Sequence, residues 1–183
     1  MNQEAWSVFA GVAFGPTHWI DTPDLDEAVA RSSRLLGPYR LRRIGPGERP
    51  HMRMDHRAIG GLSLSRLSWG AAVDVLPDVP LDDYLLTLPC RGVADAVQAG
   101  RPSRAEPRTP ALAGGGQVFR FSASADFEQW LLRFDHRAVN AAWAALTGSD
   151  LRRPIVFDES LPTVAAAWQS LAPTLALLAQ ALP

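Results

Sequence analysis

Lysine is missing from this chain altogether. Its 18 basic side chains are all arginine, and 19 acidic ones leave a net charge of −1. A balance so close to neutral excludes a duplex-binding module, which carries a basic stripe to neutralise phosphates. The all-arginine usage is what a base composition favouring arginine codons produces. Cysteine is nearly missing too: Cys90 stands alone, so no intramolecular disulfide can form, which fits a reducing compartment. Long apolar runs are absent. The stretch 8–14 is apolar but far too short to span a bilayer, and no basic residue precedes Arg31 to make the charged start of a secretory signal. The expected location is the cytoplasm.

Catalytic chemistry is as sparse. The histidines are His18, His51, His56 and His136. His51 and His56 have opposite parity on an expected strand, so they point to opposite faces. A metal needs several converging imidazole or carboxylate ligands, and no such set assembles. No serine sits in a nucleophile elbow, and neither a phosphate loop nor a GxGxxG after a strand occurs. The run Gly114-Gly115-Gly116 precedes a strand instead of opening a helix, so it reads as a tight turn. Asp55 and His56, like Asp135 and His136, are adjacent along the chain and face apart on a strand. Cys90 lies on an apolar strand face, where a thiol is a small core residue. The expectation is no catalytic residue, no metal and no cofactor.

What the chain does have is enough length and apolar content for one good core, with 183 residues of which 47% are hydrophobic. Residues 1–22 are rich in aromatics, with Trp6, Phe9, Phe14 and Trp19 among Gly and Ala. Thr22-Pro23-Asp24 supplies capping chemistry for a helix over 24–36, which Gly37-Pro38 stops. The pattern then becomes strand and turn, with strands expected at 39–43, 51–57, 62–68, 71–76, 84–90, 93–98, 117–122 and 129–134. Short strands between Gly/Pro breaks favour a barrel or jelly roll. The pair 84–90 and 93–98 is joined through Arg91-Gly92 and closed by Ala99-Gly100. A helix over 138–146 ends at Thr147-Gly148. Beyond it, Val164, Trp168, Leu171, Leu175, Leu178 and Leu182 recur at alternating steps of four and three. That is an a/d seam, which Pro173 should kink or split.

Several segments in fixed order carry a resemblance. They are DLDEA (24–28), LLGPYRLRRIGPG (35–47), IGGLSLSRLSWGAAVDV (59–75) and YLLTLPCRG (84–92), followed by ALAGGGQVFRF (111–121), DFEQWLLRFDHRAVNAAWAALTG (126–148) and DLRRPIVFDESL (150–161). In order and spacing this series resembles the N-terminal sensor domain of AraC/XylS-type transcription regulators, in the cupin-like branch. The resemblance implies a mainly β fold with flanking helices (α+β), a cupin-like jelly-roll barrel. Its parts would be an N-terminal arm (1–22), the sensor domain (23–160) and a C-terminal helical dimerisation or linker segment (161–183). A metal-dependent cupin would show a His-x-His pair and a further His after the glycine run, where this chain has Gln117, Phe119 and Phe121.

The function implied is effector binding and dimerisation, biasing an attached helix-turn-helix DNA-binding domain whose helical signals do not appear in these residues. The effector would be a small apolar or aromatic molecule, with or without a carboxylate. Met52, Met54, Trp69, Tyr84, Phe119, Phe121 and Trp130 would line the barrel, and Arg53, or else Arg66 or Arg120, could turn inward to pair an anion. Trp168, Leu171, Leu175 and Leu178 would join two copies as a homodimer. The N-terminal aromatics could fold over the effector, or belong to a segment packed permanently on the barrel. A cupin-type enzyme acting on a small organic substrate and a ligand-free dimerisation module are the alternatives.

Overall fold

A computed structural model describes residues 14, 19–47, 49–107, 109–151, 155, 173, 174 and 177. Eleven strands and two helices follow one another in these residues. They are β1 (Ile20–Thr22), α1 (Leu25–Leu36), β2 (Tyr39–Arg43), β3 (Met52–Ile59), β4 (Leu62–Ser68), β5 (Val73–Pro77) and β6 (Tyr84–Arg91). After them come β7 (Ala94–Gln98), β8 (Arg101–Ala105), β9 (Ala111–Gly114), β10 (Phe119–Ala123), β11 (Glu128–Phe134) and α2 (His136–Thr147). The strands form two antiparallel sheets, one of six in the order β1-β3-β4-β11-β6-β9 and one of five in the order β2-β5-β10-β7-β8. The jelly roll expected from the sequence is present as an open sandwich. Among the described residues no ladder closes one sheet onto the other into a barrel.

The helix boundaries follow from local chemistry. Asp24 caps α1, its carboxylate accepting from the Asp26 and Glu27 amides at 2.8 and 3.2 Å. Gly37, at φ +82°, ends it and donates its N–H to the Ser33 carbonyl. Asp135 caps α2 through the Arg137 amide, and the left-handed Gly148 closes it.

Two expectations change. First, the strands over 84–90 and 93–98 do not pair with each other: β6 belongs to the six-stranded sheet and β7 to the five-stranded one. The Arg91-Gly92 join is a corner between sheets. Gly92 sits there at φ +68°, and a Cβ on it would lie 2.7 Å from the Phe127 Cα. The Ala99-Gly100 turn instead makes a hairpin with β8, both residues at positive φ, the backbone that suits a two-residue hairpin loop. Second, β1, β8 and β9 are additional to the expected strands. Each is a sheet edge. Three residues (β1), an internal Pro102 (β8) and an Ala/Gly run (β9) give no alternation to read, and an edge tolerates all three.

The six-stranded sheet is buried on both faces along its central strands β6 and β11. Its inner face sets Met52, Met54, Leu67 and Trp69 against Val73, Ala94, Phe121 and Ala123 of the other sheet, with Phe127 filling the gap. Its outer face carries Leu64, Leu86, Leu88, Trp130 and Leu132, on which Phe14 packs. Each such side chain contributes roughly 1.5–3 kcal/mol by leaving water.

Candidate functional site

Between the sheets lies a cavity of about 80 Å³. A cavity of ~150 Å³ takes a benzene ring, so this space has room for a few waters or a molecule smaller than a ring. The six-stranded sheet supplies Leu67, Trp69, Leu85, Thr87, Gln129 and Leu131 to its wall, and the five-stranded sheet supplies Tyr39, Val75, Pro77, Phe119 and Phe121. The end of α1 (Leu36) and the loop Val79, Pro80 and Leu81 complete it. Pro38 and Val79 are solvent-exposed, so the mouth lies between the α1–β2 turn and the β5–β6 loop. An Asp78 N–H to Pro38 carbonyl bond (3.0 Å) and an Arg40–Asp78 ion pair (2.8 Å) tie these two rims together. A smaller space of about 40 Å³ adjoins it, sharing Leu85, Thr87, Phe119 and Phe121.

Among the described residues no charged side chain lines this cavity. Its polar members are few, as in most small-molecule sites. The Tyr39 hydroxyl is engaged by Ser32, and burial pushes its pKa up, so it stays protonated. Two other polar atoms are buried without a partner: the indole N–H of Trp69 and the Oε1 of Gln129. Both side chains are buried, at 4% and 3% exposure. Each of the two atoms has almost no accessible surface, so it sits in the packing behind the wall, where a buried polar group without a hydrogen bond costs ~1–3 kcal/mol.

The residues expected to line the interior divide three ways. Trp69, Phe119 and Phe121 line the cavity, with Trp69 tilted against Phe121 at 6.0 Å and stacked on Phe127 at 6.3 Å. Met52 and Met54 are fully buried in the core beside it and do not line it. Tyr84 and Trp130 belong to the opposite face of the six-stranded sheet. There Trp130 stacks on Phe14 at 5.5 Å, and the Tyr84 hydroxyl accepts from the Ile155 N–H at 2.8 Å. Arg53 is 57% exposed and pairs at 3.8 Å with Asp21, while Arg66 pairs with Glu128 and Arg120 is exposed. None of the three arginines reaches the cavity. Trp168, Leu171, Leu175 and Leu178 lie outside the described residues, as does most of the arm over 1–22. Of that arm, 20–22 form β1, and Phe14 sits on the sheet face away from the cavity.

Sequence reasoning missed Leu85, Thr87, Gln129 and Leu131. In YLLTLP and EQWLLRF apolar residues occupy both parities, because β6 and β11 are buried on both faces. Alternation then cannot tell which face looks into the cavity.

Elsewhere the ionisable groups serve the scaffold. Asp83, Asp135 and His136 bring ligand-type atoms within 4.8 Å of one another, the kind of cluster that can hold a cation. These atoms are already engaged. Asp83 accepts from Arg133 Nε at 2.7 Å and from the His136 amide at 3.1 Å, and Asp135 caps α2. Burial alone would raise the Asp83 pKa, but the His136 and Arg133 donors outweigh it and hold the carboxyl below its usual value. His56 bonds to Ser65 at 3.0 Å; burial first, and the Arg133 charge second, lower its pKa. Burial pushes the Cys90 thiol up to about 11, so it is protonated and a poor nucleophile near neutrality.

The sandwich and its uncharged cavity define a jelly-roll domain of the ligand-binding class. The chain belongs to the AraC-binding-like domain family, which matches residues 28–183. It is 31% identical over 152 residues to the "Probable thc operon regulatory protein" of Rhodococcus erythropolis, an alignment covering 77% of this chain and 44% of that protein. The chain thus spans less than half the length of this relative. The crystal structure of the AraC-like transcriptional activator CuxR superimposes with a TM-score of 0.56 at 14% identity, over 72% of this chain and 52% of that one. The cupin domain of Schizosaccharomyces pombe Cnp3 aligns at a TM-score of 0.42 and 7% identity, over 55% of this chain and 75% of that one. Among the described residues no helix is long and apolar enough to cross a membrane.

Proposed function

We propose that this chain is the effector-sensing domain of a cytoplasmic transcription regulator, binding a small molecule between its two sheets. The carrying observation is the cavity itself, about 80 Å³ between the two sheets and lined, among the described residues, by no charged side chain. The names of two similar proteins, an operon regulatory protein and a transcriptional activator, support the regulatory half of the reading. The domain acts by binding and not by turnover. A ligand that prefers one arrangement of the sandwich and its flanking segments shifts the population toward it, and an attached DNA-binding domain responds. Two copies associate through the seam carrying Trp168, Leu171, Leu175 and Leu178, so that occupancy is reported to a pair of DNA-binding domains.

The test is a thermal-shift screen of apolar and aromatic small molecules, with metal analysis of the protein and recovery of each stabilising compound. Metal-free protein whose melting temperature rises with a compound recovered unchanged supports sensing. Steady conversion of the compound by stoichiometrically metallated protein makes the domain an enzyme and overturns the reading.

A further inference from the structure

We propose that the loop over 78–83 reports the state of the cavity to α2, with Asp83 as the residue that makes the link. This rests on the sensing role proposed above and specifies how occupancy leaves the site. The loop belongs to two structures at once. Val79, Pro80 and Leu81 form one rim of the cavity, held by the Asp78 N–H to the Pro38 carbonyl at 3.0 Å and by the Gly116 N–H to the Leu81 carbonyl at 2.9 Å. Two residues beyond Leu81, the buried Asp83 carboxylate accepts from the His136 amide at 3.1 Å, and the His136 Nδ1 lies 3.4 Å from the same oxygen. His136 is the first residue of α2. Only Asp82 separates the rim from the anchor of the helix, too short a span to absorb a movement of the rim.

The way α2 is held makes it responsive. None of its residues is buried. Among the described residues its hydrogen bonds to the sandwich gather at its start: those from Asp83, and the Asp135 N–H to the Gly61 carbonyl at 2.8 Å. Its 12 residues span about 18 Å, so a small turn at this anchor becomes a larger shift at the far end. Moving it leaves no bare charge behind. Asp83 Oδ2 accepts from Arg133 Nε at 2.7 Å, and Arg133 is fixed in the central strand β11, so that pair persists when α2 moves. Docked and undocked helix therefore differ by one charge-assisted hydrogen bond and a longer imidazole contact. The binding energy of a small ligand is enough to shift an equilibrium of that size. In sequence α2 leads on to the seam over 163–182, so its position bears on how two copies pair.

The substitution His136→Pro, made in the chain over 1–183, tests this. Proline at the first helical position keeps the helix, since that amide has no partner within it, but removes the N–H and the ring that meet Asp83. The probes are xenon, small enough for the present space, and benzene, which needs more than it offers and must push the rim outward. The readouts are the methyl resonances of Leu85 and Leu131 in the cavity wall, and the hydrogen exchange of the amides over 139–147 in α2. In the wild type benzene should move the methyls and change the α2 exchange rates by about fivefold or more. In His136→Pro it should move the methyls alone. Asp83→Asn, which keeps an acceptor without the charge, should weaken the α2 response, and it replaces the proline variant if that loses the folded spectrum. Methyls that move while α2 stays unchanged in the wild type overturn the link and leave the sensing role standing. An α2 response as large in the variants as in the wild type overturns the part given to Asp83. If neither xenon nor benzene moves the methyls, the cavity admits no ligand, and the sensing role falls together with this inference.

Discussion

Gln129 sits in a central strand, 3% exposed, with its acceptor unpaired. For stability alone a methionine would serve better there, since it fills a similar volume with no group to satisfy. Gln129→Met is therefore expected to stabilise the protein by about 1 kcal/mol, measured by urea denaturation. A loss of stability of that size would mean the amide has a structural partner after all. His56 makes the pH prediction at this scale. Its pKa lies below the usual 6.5 because burial and Arg133 oppose its protonation, so the unfolded state takes up the proton first. Its contribution to stability is complete above pH ~6.5 and is lost as the pH falls through that value. Melting temperatures between pH 7.5 and 5 should show this decline, and His56→Gln, which keeps a hydrogen-bonding partner for Ser65, should flatten it.

Among the elements, the corner between β6 and β7 decides how the chain moves from one sheet to the other. Gly92→Ala must place a Cβ 2.7 Å from the Phe127 Cα and from Ser124 Oγ, at a φ of +68°. Both the clash and the backbone strain act against the native state, so a loss of at least ~2 kcal/mol is expected in denaturant titration. The same elements show what the sequence could convey. Three helix ends were legible because caps are local chemistry, at Asp24, Gly37 and Gly148; Asp135, expected on a strand beside His136, is instead the N-cap of α2, which starts two residues before the expected helix. Strands with alternating faces, such as β4, were legible from their period. The side of β6 and β11 that faces the cavity was not, because both sides are apolar and the choice is made by sheets distant in sequence. Trp130 drew attention by its size and lies on the other face. Gln129 beside it, a single polar residue in an apolar strand, was the available signal, readable as a buried amide awaiting a partner.

For the whole molecule, the repeat over 163–182 remains the strongest argument for self-association. Two or three buried Leu or Trp per copy, at roughly 1.5–3 kcal/mol each, are enough for micromolar dimerisation after its entropic cost. Sedimentation equilibrium should show a dimer that Leu175→Glu together with Leu178→Glu converts to monomer; a dimer indifferent to both charges would place the contact elsewhere. The sheet orders carry a different consequence, for how the chain is made. β10 lies in the middle of one sheet and β11 in the middle of the other, yet they are the last strands in sequence among the described residues. Until residues 119–134 leave the ribosome, the earlier strands are a three-stranded ribbon and separate two-stranded pairs, which are marginal in water by themselves. Synthesis therefore cannot proceed by stepwise folding from the N-terminus: both sheets and the cavity close in one late event, with long loops to gather first. A fragment of residues 1–118 should accordingly give no cooperative thermal transition by circular dichroism, where residues 1–183 give a single one, and the nascent chain should stay sensitive to protease until β10 and β11 have emerged.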